Sequence, residues 1–173
     1  NYIDTNTTGL KVNDSVNIIS EAINDLKDIR RSMGSENILS NGLIQALEFE
    51  AEQLRKSGIY TVSFSATGNL VFMDGNIDLI VFRIIQEILN NIIKHAAATA
   101  IDIHLHYNDI LLTIEINDNG KGFFTEEVQP GTGLQNIKKR TTMLKGNLSI
   151  KSAIDMGTQI KIEIPLYENN TAV

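Results

Sequence analysis

Apolar residues recur at helical spacing near the start of the chain. Five of them are separated alternately by four and three residues: Val12, Val16, Ile19, Ile23 and Leu26. This spacing is typical of a helix that packs against a partner, and an amphipathic helix lying on its own domain shows it as well. We expect this helix to end at Gly34, after a polar leader over residues 1–9.

Three further segments carry the apolar periodicity of helices. They are predicted over residues 41–57, 78–97 and 134–144. The middle one is the longest, and a polar stripe runs along the side opposite its apolar face: Arg83, Glu87, Asn90, Asn91 and Lys94. We expect this helix to pack one side on a core and to leave the other side accessible.

Alternating apolar and polar positions predict strands in most of the remaining chain. Six strands are predicted, over residues 59–66, 70–73, 100–107, 110–117, 147–154 and 158–166. Short turns join them in pairs, at Thr67-Gly68-Asn69, Asn108-Asp109 and Asp155-Met156-Gly157. This mixture predicts an α/β (α+β) two-layer sandwich, in which a mixed, mostly antiparallel sheet carries helices on one face and an N-terminal helix precedes it.

Composition excludes several classes of function. The 173 residues include no cysteine, which rules out disulfides and thiolate chemistry. The net charge of -6 gives no electrostatic footprint for nucleic acid, and no apolar run approaches the roughly 20 residues that span a bilayer. We therefore expect no nucleic-acid partner and no direct membrane contact. The sequence begins at Asn1 rather than Met, so we expect it to be cut from a longer chain.

The polar stripe of the longest helix is the first candidate for chemistry. Glu87, Asn91 and Lys94 stand at i, i+4 and i+7, so they project from one side. A carboxylate, an amide oxygen and an ammonium group on one face suit a metal nucleotide, since Mg²⁺ prefers oxygen ligands and Lys attracts phosphate. A solvated helix face explains the same three residues when they are taken alone.

Two glycine-rich segments are the next candidates. The first, DNGKGF over residues 118–123, follows a strand, so its Asp118 could accept a hydrogen bond from an exocyclic amine. The second, Gly131-Thr132-Gly133, opens a helix whose N-terminus suits phosphate. A plain Asn-Gly turn explains the first segment equally well, and a lone Gly-x-Gly is weak. The phosphate-binding loop motif GxxxxGK[ST] is not present.

The order of these motifs resembles the ATP-binding fold shared by histidine kinases, the gyrase B subunit, Hsp90 and MutL. QEILNNIIKHA (residues 86–96) resembles the family's N box, DNGKGF its G1 box, and GTGLQNIKKR (131–140) its G2 box, before Gly157-Thr158 enters the last strand. The resemblance covers about residues 40–166. It implies a Bergerat-type fold, with ATP and Mg²⁺ as ligands.

The resemblance implies a role for each matching residue. Glu87 corresponds to the general base or water-orienting carboxylate, Asn91 to the Mg²⁺ ligand, and Lys94 and His95 to residues near the phosphates. Asp118 corresponds to the residue that binds the adenine amine. The remaining matches shape the adenine wall, the hinge of the lid or the support from the last strand: Gly120, Gly122, Gly131, Gly133, Leu134 and Thr158.

The upstream segment narrows the resemblance to sensor kinases. AINDLKDIRRSM (22–33) and GLIQALEFEAEQLRKSG (42–58) are similar to the second dimerisation helix and link of the NarX/DesK-like group, which also has a short lid. This implies two parts: residues 1–35, a leader and the end of the dimerisation and phosphoacceptor region, and residues 36–173, the catalytic ATP-binding domain. It also implies a cytoplasmic location, a homodimeric full-length protein and a response regulator as partner.

The histidines of the chain lack a phosphoacceptor context. His95 belongs to the N box, while His104 and His106 alternate with apolar residues and are expected on the solvent face of a strand. We therefore expect the acceptor histidine to lie upstream of Asn1. The main hypothesis is a protein-histidine kinase. The alternatives are another ATPase or an anti-sigma-factor type serine kinase of the same superfamily, or a non-catalytic nucleotide-binding module.

Overall fold

The computed structural model describes residues 42–69, 73, 75–124 and 132–166 of the chain. The predicted N-terminal helix, the boundary between residues 35 and 36, and Gly131 lie outside the described residues. So do the predicted lid between Phe123 and Gly131, apart from Phe124, and the predicted strand 70–73, apart from Met73. These stay predictions.

Three helices lie within the described residues. Helix α1 covers residues 42–56, α2 runs from Gly75–Asn91, and α3 runs from Thr132–Met143. The apolar periodicity predicted each of them within three residues at either end, with one change of helix type. Residues Ile92–Ala96, predicted as part of the long helix, form a π-helical turn at its end.

Five strands form one mixed sheet. They are β1 (Thr61–Gly68), β2 (Ala100–Tyr107), β3 (Leu111–Asp118), β4 (Asn147–Ser152) and β5 (Thr158–Pro165). Their order is β1-β2-β3-β5-β4, in which β1 and β2 pair in parallel and the other three pairs are antiparallel. The predicted mixed, mostly antiparallel sheet is thus confirmed.

The sheet buries one face against the helices. Along β2 the buried residues Ile101, Ile103 and Leu105 alternate with Asp102 and the two histidines, which face outward. The inward residues join one core with the apolar faces of α1 and α2. Because every second strand residue contributes to a single core, the helices cover one side only, as the sequence predicted.

The structure corrects the prediction at the end of β1. Thr67 and Gly68 were expected to turn the chain back into a hairpin, but they continue β1 and pair with His106 and Tyr107 of β2. Their pairing partner is distant in sequence, so the local turn signal was misleading. The two strand histidines do lie on the outward face, where Nδ1 of His104 and His106 contact Ser65 and Thr67. Among the described residues, no helix is both long and apolar enough to cross a membrane.

Candidate functional site

A cleft of about 500 Å³ opens at the end of the sheet where β3 ends and β5 begins. Glu87 and Asn91 line it from the last turns of α2, one helical turn apart. Lys94 and His95 line it from the π-helical turn. Three of the five residues of the predicted polar stripe therefore line one cavity, together with His95, whereas Arg83 and Asn90 do not line it.

The π-helical turn connects α2 to the loop that follows β3. It ends at Ala97, which has a left-handed backbone with φ of 52°. The carbonyl of Ala96 accepts a 2.8 Å hydrogen bond from the amide of Lys121. A π-helical turn shifts the carbonyls at a helix end, and here one of them finds its partner in the neighbouring loop rather than in the helix. This bond joins the wall formed by the π-helical turn to the wall formed by the loop after β3.

Asp118 is the last residue of β3, where it pairs with Ile101 on one side and Thr158 on the other. Its Oδ1 accepts a 2.8 Å hydrogen bond from the amide of Gly120. Burial raises the pKa of the Asp118 carboxyl, while hydrogen bonds from Gly120 and Thr158 act in the opposite direction. The result is a half-buried acceptor whose direction is fixed by backbone and side-chain donors.

The loop after Asp118 is held by hydrogen bonds on both sides. The Oδ1 atom of Asn119 accepts 2.9 Å hydrogen bonds from the amides of Thr99 and Ala100. The carbonyl of Lys121 accepts a 2.7 Å bond from the amide of Asp155. Gly122 has a φ of +57°, and a Cβ there would collide with the backbone oxygen of Ala153. Glycine is therefore required at this position by both backbone conformation and space.

The hairpin between β4 and β5 supports the same wall through Ser152. Its hydroxyl lies 3.0 Å from Oγ1 of Thr158, donates a 2.9 Å bond to the carbonyl of Gly157 and accepts a 3.0 Å bond from the amide of Phe123. Sequence reasoning singled out Thr158 but missed Ser152. Nothing in its local sequence distinguishes it from a solvated strand serine, since its partners come from three separate positions.

The first turn of α3 closes the cleft over α2. A Cβ built on Gly133 would lie 2.7 Å from Oε1 of Glu87 and 3.0 Å from Oδ1 of Asn91. The helix N-terminus, whose backbone N–H groups favour negative charge, is thus held directly beside the carboxylate and amide of α2. Leu134 follows and lines the cleft as well.

Most of the residues singled out in the sequence lie at this cleft. The following nine line it: Glu87, Asn91, Lys94, His95, Asp118, Gly122, Gly133, Leu134 and Thr158. Gly120 does not line the cleft, but its amide donates a hydrogen bond to Asp118. A Cβ on Gly120 would lie 2.4 Å from the carbonyl oxygen of Ala96 and 2.8 Å from Oδ1 of Asp118. Gly131 is outside the described residues.

Apart from Leu134, the apolar lining of the cleft was not predicted. Five apolar residues and one lysine that line it had been given no role: Ile88, Ile92, Ala96, Lys121, Phe123 and Ile160. Ile88 and Ile92 are spaced like core residues and are buried, so periodicity cannot separate a ligand wall from the core. Lys121 and Phe123 lie within DNGKGF, whose glycines drew attention away from the side chains between them.

The cleft combines apolar walls with polar groups at defined places. Such a cavity suits a ligand with a flat apolar part and a charged part, because apolar walls bind by area and polar groups fix orientation. Asp118 offers a hydrogen-bond acceptor in the lining, Lys94 can offset negative charge, and His95 can donate a hydrogen bond. Among the described residues, no group of three or more His, Cys, Asp or Glu side chains could hold a metal ion.

Sequence comparison gives a family match over half of the chain. Residues 76–168 match the model of the histidine kinase-, DNA gyrase B- and HSP90-like ATPases. The signal transduction histidine-protein kinase/phosphatase DegS of Brevibacillus brevis is 32% identical over 164 residues, covering 86% of this chain and 42% of DegS. The oxygen sensor histidine kinase NreB of Staphylococcus carnosus is 26% identical over 153 residues, covering 87% of this chain and 44% of NreB. The chain thus spans less than half the length of these relatives.

Solved structures show the same fold. The histidine kinase domain of the Erythrobacter litoralis EL346 blue-light activated kinase aligns with a TM-score of 0.61 at 19% identity, over 75% of this chain and 63% of that one. The Acinetobacter baumannii histidine kinase AdeS aligns with a TM-score of 0.60 at 15% identity, over 95% of this chain and 87% of that one. At these identities the likeness concerns the arrangement of helices and strands.

Proposed function

This chain belongs to the family of histidine kinase-, DNA gyrase B- and HSP90-like ATPases, and on that premise we propose that it is the catalytic part of a two-component sensor kinase. The ATP-binding domain of the family covers residues 76–168. The proposed reaction transfers the γ-phosphoryl group of Mg-ATP to a histidine on an upstream dimerisation helix. A response regulator then receives the phosphoryl group.

One observation carries the proposal: three segments distant in sequence meet at one cleft. Glu87 and Asn91 come from α2, Asp118 from the end of β3, and Gly133 from the start of α3. Each segment alone has an ordinary structural explanation. Their convergence on a cavity of about 500 Å³ favours a nucleotide site, because unrelated surface features have no reason to share one cavity.

We assign the adenine end of the site to Asp118. A carboxylate accepts hydrogen bonds only, so it fits the exocyclic amine of adenine and not the carbonyl of guanine. The amide of Gly120 and the hydroxyl of Thr158 hold the carboxylate in one orientation. Ile92 and Ile160 provide apolar walls on which a flat base can lie.

We assign the phosphate end to α2 and its π-helical turn. Asn91 offers an amide oxygen to Mg²⁺, and the ion would enter with the phosphates, as is usual where few protein ligands are available. A bound Mg²⁺ would supply charge neutralisation there. We assign Lys94 to offset the remaining negative charge, and His95 to donate a hydrogen bond to it.

Glu87 is the residue we assign to the reaction itself. The acceptor imidazole nitrogen forms a bond to the γ-phosphorus, the bond from that phosphorus to the bridging oxygen breaks, and ADP leaves. The imidazole loses its N–H proton in this step, and we assign Glu87, the cleft carboxylate next to the phosphate end, to accept or orient that proton. Phosphoryl transfer otherwise depends on positioning and charge neutralisation, so no protein nucleophile is needed in this domain.

The acceptor is proposed to come from outside the described residues. His104 and His106 lie on the outward face of the sheet, and His95 already lines the cleft. The relatives DegS and NreB carry the name histidine kinase, and they are longer than this chain. A dimeric stalk with its own histidine is therefore the proposed partner, and the apolar residues from Val12 to Leu26 are proposed to dock on it.

The test supplies the acceptor in trans. The chain is mixed with a separate protein that carries the upstream stalk helix and its histidine, and both are incubated with γ-labelled ATP and Mg²⁺. We expect acid-labile label on the stalk and none on the chain alone. Asp118→Ala should abolish labelling, and replacing the stalk histidine with Gln should do so while leaving ATP binding intact.

Other outcomes identify the alternative functions. Acid-stable label on a partner would indicate a serine kinase, and release of free phosphate without label would indicate a simple ATPase. ATP binding with neither outcome would indicate a non-catalytic module. Stoichiometric acid-labile label on His95, His104 or His106 of the chain alone would contradict the assignment of an external acceptor.

A further inference from the structure

We propose that Gln86 is a positioning residue that fixes the rotation of α2 about its own axis and thereby places Glu87 in the cleft. This inference rests on the proposed function, since Gln86 acts through Glu87. It adds a residue outside the cleft to the machinery of the reaction.

The side chain of Gln86 is buried and joined to two charged groups. It is 5% exposed, and among the described residues only Thr141 is another polar side chain buried to this degree. Its Nε2 donates a 2.9 Å hydrogen bond to Oε1 of Glu50 on α1. Its Oε1 accepts a 2.8 Å bond from the Nη1 atom of Arg83, one turn earlier on α2.

These contacts define the orientation of the amide. The cationic Arg83 donates to the oxygen of the Gln86 amide, and the anionic Glu50 accepts from its nitrogen. If the amide were reversed, its nitrogen would face a donor and its oxygen would face an acceptor, so both hydrogen bonds would be lost. Hydrogen bonds to charged groups are stronger than those between neutral groups. Thr141 contrasts with this, because its hydroxyl binds the carbonyl of Ile137 in its own helix and links no second element.

The hydrogen bond between Gln86 and Glu50 affects the reaction because Glu87 is the next residue on α2. Adjacent helical residues point about 100° apart around the axis, so Gln86 faces α1 while Glu87 faces the cleft. Apolar contacts tolerate small rotations of a helix, whereas a hydrogen bond weakens with changes of distance and angle. A rotation of about 10° moves an atom that is roughly 6 Å from the axis by about 1 Å. A displacement of that size is enough to slow a reaction that depends on alignment.

The test uses substitutions that separate placement from stability. Gln86→Met keeps the length of the side chain but removes both hydrogen bonds, while Glu50→Gln keeps an oxygen that can accept from Gln86. The double variant Gln86→Met with Glu50→Met removes both members of the hydrogen bond between these two residues, which is commonly far less destabilising than leaving one of them unpaired. Arg83 loses its bond to Gln86 in the single and in the double variant alike, so the comparison isolates the effect of Glu50. Gln53→Met, on the exposed side of α1, is the matched control.

Three quantities are measured for each variant: the Tm, the Kd for ATP with Mg²⁺, and the rate of transfer to the stalk histidine at saturating ATP. We expect Gln86→Met to lower the Tm and to slow transfer about tenfold, with Kd changed less than twofold. The double variant should recover most of the Tm but not the rate. Gln53→Met should keep the wild-type Tm and rate. Glu50→Gln, which keeps the hydrogen bond to Gln86 but not its charge, should lower the Tm slightly and keep the rate.

A fourth measurement does not depend on transfer. The NMR signal of the Ile92 methyl groups should shift in both variants that carry Gln86→Met and remain in place in the other two. Ile92 lines the cleft more than one turn beyond Gln86.

If the rate recovers together with the Tm in the double variant, or if the Kd rises in step with the loss of rate, Gln86 has only a structural role. An unmoved Ile92 signal in Gln86→Met also overturns the inference. A wild-type chain that fails to label the stalk would instead contradict the proposed function, and the Ile92 signal would still decide whether Gln86 sets the rotation of α2.

Discussion

Gly133 and Glu87 lie so close together that a side chain on Gly133 would displace the end of the Glu87 side chain. A Cβ on Gly133 would lie 2.7 Å from Oε1 of Glu87 and 3.0 Å from Oδ1 of Asn91. The first turn of α3 therefore rests on the two polar residues of α2 that we assign to the phosphate end of the site. The present positions of these two side-chain ends depend on the absence of a methyl group at position 133.

The first prediction concerns that spacing. Gly133→Ala should displace the ends of the Glu87 and Asn91 side chains from the cleft or move the start of α3, because atoms at these distances from a Cβ must shift. We expect ATP affinity with Mg²⁺ to fall about tenfold, and Gly133→Val to have a larger effect than Gly133→Ala. Calorimetric titration of the two variants checks this. Equal affinities in wild type, Ala and Val would show that α3 moves freely and does not set the shape of the site.

The second prediction concerns the choice of base. GTP should bind much more weakly than ATP, since guanine presents a carbonyl where Asp118 needs a donor. A buried polar group left unpaired costs roughly 1–3 kcal/mol, which corresponds to about fivefold to 150-fold in Kd. Asp118→Ala should remove most of the affinity for ATP. The adenine assignment fails if calorimetry gives the same ATP affinity for this variant and wild type.

The third prediction follows from the raised pKa of Asp118. Burial is the main cause of that shift, so the folded state binds the proton more tightly than the unfolded state. Stability then decreases as the pH rises from the ordinary pKa of an aspartate through the raised value, and the full loss is present at neutral pH. Asp118→Asn keeps an oxygen for the amide of Gly120 without the charge. It should therefore raise the Tm of the nucleotide-free protein at pH 7 while it weakens ATP binding.

The control for this prediction is acidic pH. Below the ordinary pKa of an aspartate, Asp118 carries its proton in both states, so the Tm difference between Asp118→Asn and wild type should disappear. Melting curves across the acidic range measure it. A Tm difference that is the same at every pH would mean that the charge of Asp118 costs the folded state nothing.

The sheet was predictable where alternation was strict. The bounds of β2, Ala100–Tyr107, match the prediction. The three apolar residues Ile101, Ile103 and Leu105 are all buried, and they alternate with polar residues. At the end of β1, Thr67 and Gly68 are residues that are common in turns. The strand continues through them because they pair with β2. Such pairing joins residues distant in sequence, which local pattern does not contain.

The polar and glycine-containing parts of the candidate site could be singled out because their order along the chain resembles the motifs of a known ATP-binding family. Taken alone, Glu87, Asn91 and Asp118 each had an ordinary structural explanation. Ile88 and Ile160 were not singled out, because the same side chains also build the core. The π-helical turn could not be predicted either, since its freed Ala96 carbonyl depends on Lys121, which arrives from a different element.

The last prediction separates metal binding from chemistry on α2. Asn91→Ala removes the amide oxygen proposed for Mg²⁺, so nucleotide affinity should fall about tenfold in the presence of Mg²⁺ and change little in its absence. Glu87→Gln keeps size and hydrogen-bonding ability but cannot take up a proton at neutral pH. We expect it to bind Mg-ATP with a Kd within twofold of wild type and to transfer the phosphoryl group at least about 100-fold more slowly, the usual lower range for loss of a general base.

Calorimetry with and without Mg²⁺, together with single-turnover transfer to the stalk histidine at saturating ATP, measures both effects on the same preparations. Because the two residues lie one turn apart on the same helix, a shared distortion of α2 would lower affinity and rate together in both variants. Wild-type turnover in Glu87→Gln would return Glu87 to the status of a surface carboxylate, and an Mg²⁺-independent loss in Asn91→Ala would move the metal away from α2.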